Sequence, residues 1–126
     1  ASDVYKRQVW RQGDRYNVPR MIFINKMDRT GADYFRVVEQ IKIRLGANPV
    51  PIQIPITNDD NFLGIIDLIK MKSIYWDESD KGTTYKYKEI PKNLELEAQS
   101  WRDSMVESAA EADEDILERS QFILLF

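Results

Sequence analysis

The alternation of hydrophobic and polar residues predicts a strand, a loop and a helix near the beginning of the chain. The apolar segment Arg20–Asn25 (RMIFIN) is typical of a strand buried on both faces of a parallel sheet. Apolar side chains then recur on one face of a helix of about a dozen residues, at Tyr34, Val38, Ile41 and Leu45. We expect Asp33 to cap this helix and Gly46 to end it. This order of elements is half of a doubly wound α/β unit.

The pattern on either side of this unit predicts further elements. Before it, Val9–Tyr16 indicates the end of a helix with Gly13 as its C-cap. After it, Pro49–Ile56 alternates proline with apolar residues, which favours an edge strand. Three more strand candidates predict a small antiparallel sheet; they are Phe62–Ile66, Lys70–Trp76 and Thr84–Glu89. An apolar stripe from Leu94 to Ile116 then predicts a long helix that begins near Asn93 and has an acidic opposite face.

These elements define the predicted fold class. It is α/β, with part of a doubly wound sheet followed by a small α+β insert that contains antiparallel strands and a long helix.

Composition narrows the function mainly by exclusion. The 126 residues are 43% hydrophobic and 31% charged, which is typical of a globular domain. The net charge of -3 gives no general attraction to nucleic acid or to anionic lipid. Because the chain has neither cysteine nor histidine, disulfides, thiol catalysis and histidine-dependent catalysis are excluded. No apolar run approaches the ~20 residues of a membrane helix, so we expect a cytoplasmic protein.

The residues that follow the first predicted strand, Asn25-Lys26-Met27-Asp28, match the chemistry of guanine. Guanine presents two adjacent donors, N1–H and N2–H₂, and the carboxylate of Asp28 can accept from both. Adenine lacks this pair of donors, so Asp28 would select guanine. The stem of Lys26 can lie along the base, and Asn25 can brace the loop. Lysine and aspartate after a strand are also ordinary loop residues, so the tetrapeptide alone leaves a solvated turn open.

The wider sequence resembles the bacterial translation elongation factor G family. The resemblance covers nearly everything from Val9 to about Glu118, including VWRQGDRYNVPRMIFINKMDRTGADYFRVVEQIKIRLGANPVPIQIPI and FLGIIDLIKMKSIYWD. It implies that Asn25, Lys26 and Asp28 are the guanine-specificity residues of a GTPase that binds GTP or GDP. It also implies that the parent protein drives ribosomal translocation and contacts rRNA and the ribosomal stalk protein. We expect no membrane or DNA partner and a monomeric state.

The resemblance also implies a division of the chain. Residues 9–48 correspond to the C-terminal part of a GTPase domain, and residues 49–119 to the insert subdomain of that domain. Residues 1–8 are interpreted as a cloning or sequencing scar, because DVYKRQ translates a transposase end sequence used in library preparation; a helix start is the alternative. Residues 120–126 are interpreted as a truncated tail, with a short buried strand that lacks its partner as the alternative.

Parts that such GTPases need for phosphate chemistry do not occur in this sequence. It contains no G-x-x-x-x-G-K-[ST] segment, and without histidine it cannot contain the catalytic histidine of the family. We therefore expect a fragment without catalytic residues or metal ligands, and Mg²⁺ only in the full-length parent.

Other assignments stay open. They are a related ribosomal GTPase, of the release factor three or tetracycline ribosomal-protection type, and a non-catalytic protein-binding module that docks through its acidic helix.

Overall fold

Within the residues that the structure describes, three helices and seven strands form in the order αβαβββββαβ. The computed structural model describes residues 2–16, 20–24 and 33–125. The helices are α1 (Ser2–Arg15), α2 (Tyr34–Leu45) and α3 (Glu95–Arg119). The strands are β1 (Met21–Ile24), β2 (Asn48–Pro51), β3 (Gln53–Asn58), β4 (Asn61–Asp67), β5 (Lys72–Trp76), β6 (Tyr85–Lys88) and β7 (Ser120–Leu125). Short 3₁₀ turns occupy Glu78–Asp80 and Lys92–Leu94. This arrangement confirms the predicted mixture of a partial parallel sheet, an antiparallel sheet and a long helix.

The strands belong to two sheets. The first is parallel, with the order β1-β7-β2, and the second is antiparallel, with the order β3-β4-β5-β6. The chain passes from one sheet to the other at Ile52, whose carbonyl accepts from the amide of Leu68 at 3.0 Å. The predicted single strand Pro49–Ile56 is therefore wrong, because the bend at Ile52 divides it. Both resulting strands, β2 and β3, lie at sheet edges, where proline is tolerated.

Strand β1 differs from its predicted burial on both faces. Ile24 is buried, whereas Met21 and Phe23 each expose about half of their surface. Alternate residues of a strand face opposite sides, so only the side of Ile22 and Ile24 packs into the core. A continuous apolar run cannot distinguish one buried face from two.

Helix boundaries follow local signals at α2 but not at α1. The side chain of Asp33 accepts from the amide of Arg36 at 3.2 Å, and Gly46 adopts φ 60, so both predicted caps of α2 are confirmed. Helix α1 continues through Gly13 to Arg15, so the predicted C-cap at Gly13 is wrong. The backbone at Gly13 also leaves room for Arg20, whose guanidinium would lie 2.7 Å from an added Cβ.

The chain has a helix, α1, near its beginning and a strand, β7, near its end. Helix α1 begins at Ser2 and so includes most of the segment interpreted as a scar; the origin of that segment stays a prediction. The tail forms β7, which pairs with β1 on one side and with β2 on the other. The alternative interpretation of residues 120–126, a strand that lacks its partner, is therefore wrong, and the truncated tail stays a prediction.

One hydrophobic cluster connects the two predicted parts of the chain. It contains Ile24, Tyr34 and Val38 from the first part and a set of buried side chains from the second. That set comprises Ile54, Ile56, Ile65, Ile66, Leu68, Ile74 and Ala98. Residues 9–48 and 49–119 therefore share a core, although the parallel and antiparallel sheets are separate.

Gly64 permits a close approach within the antiparallel sheet. A Cβ at this position would clash with the carbonyl oxygen of Ile74 and lie 2.9 Å from the ring of Tyr75. The backbone of a sheet cannot move away from such a contact without breaking its hydrogen bonds.

We predict that Gly64→Ala lowers the free energy of unfolding by about 1–3 kcal/mol, because it overpacks a buried strand. Urea denaturation followed by circular dichroism measures this change. Leu63→Ala alters the neighbouring, exposed side chain and should cost less. Equal midpoints for Gly64→Ala and the unmodified chain would contradict the described strand contact.

Candidate functional site

The candidate site is the connection between β1 and α2. Strand β1 ends at the buried Ile24, which lies beside Leu125 in the parallel register with β7. Helix α2 begins after Asp33. The described part of β1 thus ends at the carboxyl edge of the parallel sheet, which is the edge where open α/β sheets bind ligands.

The predicted guanine residues Asn25, Lys26 and Asp28 lie outside the described residues. Their roles therefore stay predictions. The structure does define both flanks of the segment that carries them, and these flanks are β1 and the beginning of α2.

Tyr34 anchors the second flank. Its side chain is 2% exposed, and its hydroxyl donates to the carbonyl oxygen of Gln53 at 3.0 Å. Burial raises the pKa of the Tyr34 phenol well above its usual value, so the group stays neutral and remains a donor. This bond links the first turn of α2 to the first residue of β3.

A second contact holds the same turn of α2 against α3. The rings of Phe35 and Trp101 stack with centroids 5.5 Å apart and an interplanar angle of 20°. Arg102, the next residue of α3, donates to the carbonyl oxygen of Ile69 at 2.8 Å and also to that of Leu68. These contacts fix the beginning of α2 with respect to the antiparallel sheet.

Sequence reasoning missed the roles of Tyr34 and Arg102 in this junction. The sequence indicates Tyr34 only as a member of an apolar helical face, and Arg102 only as a member of a polar one. The carbonyl groups that they contact lie 19 and 33 or 34 residues away along the chain, so no local pattern indicates these bonds.

A groove lies at the edge of the parallel sheet opposite to the carboxyl end of β1. It has a volume of about 520 Å³, and its lining includes Trp10, Met21, Ile41 and Arg44. Met21 begins β1 and Arg44 is near the end of α2, so the groove is at the amino end of β1. It therefore lies at the opposite end of β1 from Ile24, after which the candidate segment follows in the sequence.

The described residues supply no metal centre and no membrane span. Among them, no group of three or more acidic side chains is arranged to hold a metal ion. Within the same residues, no helix is long and apolar enough to cross a membrane.

The fold defines a class, that of α/β domains with a partly parallel sheet. A family model described as "Elongation factor Tu GTP binding domain" matches residues 3–122. The chain therefore belongs to this family of GTP-binding domains, which is a family of translational GTPases.

A solved structure supports the same fold. The chain is similar to a protein of known crystal structure from Thermus thermophilus, with a TM-score of 0.77 and 21% sequence identity. The match covers 94% of this chain and 21% of that one. The chain thus spans about a fifth of the length of the structure that it matches, and at this identity the similarity concerns the fold.

We predict that Asp33→Ala lowers the free energy of unfolding by about 1 kcal/mol, because the amide of Arg36 loses its capping acceptor. Asp33→Asn is the matched control, since asparagine caps helices about as well as aspartate. Urea denaturation of both variants measures the difference. If the two variants had the same midpoint, the capping bond would not contribute to stability.

Proposed function

We propose that this chain is the guanine-recognising part of an elongation factor G, together with the insert of its GTPase domain. The observation that carries the proposal is the position of Asn25-Lys26-Met27-Asp28 inside a region matched by a GTP-binding family model. The motif directly follows a strand of a parallel sheet and precedes a capped helix. A solvated turn would require neither this context nor this family.

In this proposal Asp28 accepts from N1–H and N2–H₂ of guanine. Lys26 packs its aliphatic stem against the base, and Asn25 braces the loop. Replacing guanine by a base without the two donors leaves a desolvated carboxylate unpaired, so discrimination is large. The support of the loop comes from its flanks, where Ile24 and Tyr34 are both buried.

The chain alone is proposed to be inactive. Base recognition supplies specificity, whereas the charge-assisted contacts to phosphate supply much of the affinity for a nucleotide. The sequence has no phosphate-binding loop and no histidine. Hydrolysis of GTP depends on positioning and on neutralising phosphate charge, and Mg²⁺ would be held by other parts of the parent.

The activity of the parent is part of the proposal. It is hydrolysis of GTP coupled to translocation on the ribosome, with rRNA and the stalk protein as partners in the cytoplasm. The segments LGANPVPIQIPI and FLGIIDLI favour elongation factor G over the release factor three and tetracycline ribosomal-protection types.

We predict that Asp28→Asn, introduced into the intact parent, reduces the preference for GDP over XDP by at least ~100-fold. Xanthine carries an oxygen in place of the N2 amine of guanine, and an asparagine amide can donate to that oxygen. Competition binding with the two nucleotides measures the preference.

The matched control for this experiment is Asp33→Asn, which changes the same functional group at the end of the same segment. It should leave the preference for GDP unchanged, because Asp33 is assigned to the cap of α2. An Asp28→Asn protein that retained its preference for guanosine nucleotides would disprove the assigned role of Asp28.

We also predict that the chain by itself gives no measurable heat when it is titrated with GDP at micromolar protein concentration. The reason is the loss of charge-assisted phosphate contacts. The intact parent, titrated under the same conditions, is the positive control. Micromolar binding by the chain would show that the guanine segment needs no phosphate-binding partner.

A further inference from the structure

Three exposed aromatic side chains lie on one face of the β5–β6 hairpin, beside Ile74, which is 7% exposed and belongs to the buried cluster. In the antiparallel register Trp76 is opposite Tyr85 and Ile74 is opposite Tyr87, and directly paired residues share a face. We call Trp76, Tyr85 and Tyr87 the aromatic face. They are 38%, 55% and 44% exposed, and the two tyrosine rings contact edge to face at 5.7 Å. None of the three contributes to the buried cluster.

Lysine ammonium groups lie at one end of this face. Lys70 donates to the hydroxyl of Tyr87 at 3.1 Å, and its Nζ lies 4.7 Å from the centre of the Tyr87 ring. Lys72 is on the same side of β5 and pairs with Glu89, which follows β6. Lys70, Lys72, Tyr87, Lys88 and Glu89 together line a shallow depression of about 350 Å³.

The charge of this region is opposite to that of the chain. Residues 70–92 carry six lysines and four acidic residues, although the net charge of the chain is -3. Three of these carboxylates already have partners within the region. Asp77 accepts from Ser79 at 2.7 Å, Asp80 accepts from Thr83 and Thr84, and Glu89 pairs with Lys72.

The same hydrogen bonds stabilise the ionised form of the two loop carboxylates. Ser79 lowers the pKa of Asp77, and Thr84 lowers the pKa of Asp80. These carboxylates thus bond within the connection between β5 and β6, from Asp77 to Thr84. Of the two lysines beside the aromatic face, Lys72 is paired with Glu89, so Lys70 is the ammonium group that remains for a phosphate.

We propose that the aromatic face binds unpaired RNA, with bases stacked on Trp76, Tyr85 and Tyr87 and a phosphate at Lys70. Exposed aromatic rings on a sheet, beside cationic groups, are the combination that binds single-stranded nucleic acid. An acidic peptide would satisfy the lysines but would offer no planar rings to the three aromatics. The choice of RNA over DNA rests on the proposed ribosomal function. The inference that bases stack on the aromatic face does not depend on that function.

The test is fluorescence anisotropy of a labelled ten-nucleotide oligoadenylate RNA titrated with the full chain at low salt. Simultaneous Tyr85→Ala and Tyr87→Ala changes should weaken binding by at least ~10-fold, since each stacked base contributes appreciably to affinity. The matched control is Tyr16→Ala, which removes an exposed tyrosine that follows α1, where Tyr16 is 70% exposed. It should bind as the unmodified chain does.

Salt dependence tests the phosphate contact separately. Lys70→Gln should lower the slope of log affinity against log salt by about 0.7. Lys42→Gln, an exposed lysine of α2, should leave the slope unchanged. Circular dichroism of every variant establishes that the fold is retained.

Several results would overturn the proposal. The first is that the chain does not bind the RNA. The second is that Tyr16→Ala weakens binding as much as the double tyrosine variant does. The third is that duplex RNA, whose bases cannot stack on the protein, competes as strongly as unpaired RNA does. Binding of an acidic peptide that displaces the RNA without requiring the tyrosines would also overturn it. Asp28→Asn should leave RNA binding unchanged, so failure here and failure of the proposed guanine site are separate outcomes.

Discussion

Burial of Tyr34 is the constraint on which the rest of the structure depends. Its ring packs in the common core while its hydroxyl donates to Gln53, so one side chain joins the helix of the parallel layer to the first strand of the antiparallel sheet. A hydrogen bond of this kind contributes about 0.5–1.5 kcal/mol to stability. The stacked pair Phe35 and Trp101 adds a second contact at the same turn. Residues 9–48 and 49–119 therefore pack into one hydrophobic cluster.

This junction determines how the candidate site is supported. The segment with Asn25, Lys26 and Asp28 is attached to β1 on one side and to the first turn of α2 on the other. Helix α2 is in turn held by Gln53 and Trp101, which belong to residues 49–119. Residues 49–119, which we propose to be the insert, thus support the helix that follows the proposed guanine segment. A subdomain that only extended the surface of the protein would not need to share its core in this way.

How much was predictable from sequence depends on the range of the interaction. Asp33 and Gly46 act on amides and dihedral angles within a few residues, and the predictions for both are confirmed. The exposure of Met21 and Phe23 depends on what covers β1, and a four-residue apolar run carries no such information. Strand β7 pairs with β1, about 100 residues earlier, and this partner could not be identified from residues 120–126 alone. The bend at Ile52 likewise depends on a bond to Leu68.

The same difference in range explains why specificity for a base can be read from a short segment while affinity for a nucleotide cannot. Discrimination of guanine requires one carboxylate at the correct position, so a tetrapeptide after a strand can suggest it, and the family match favours it over a solvated turn. Phosphate binding requires backbone amides, a lysine and a metal ion brought together from distant segments. The chain matches only about a fifth of the solved structure to which it is similar. In the proposed function, recognition of the base and binding of the triphosphate are therefore separable contributions, and this chain carries only the residues proposed for the first.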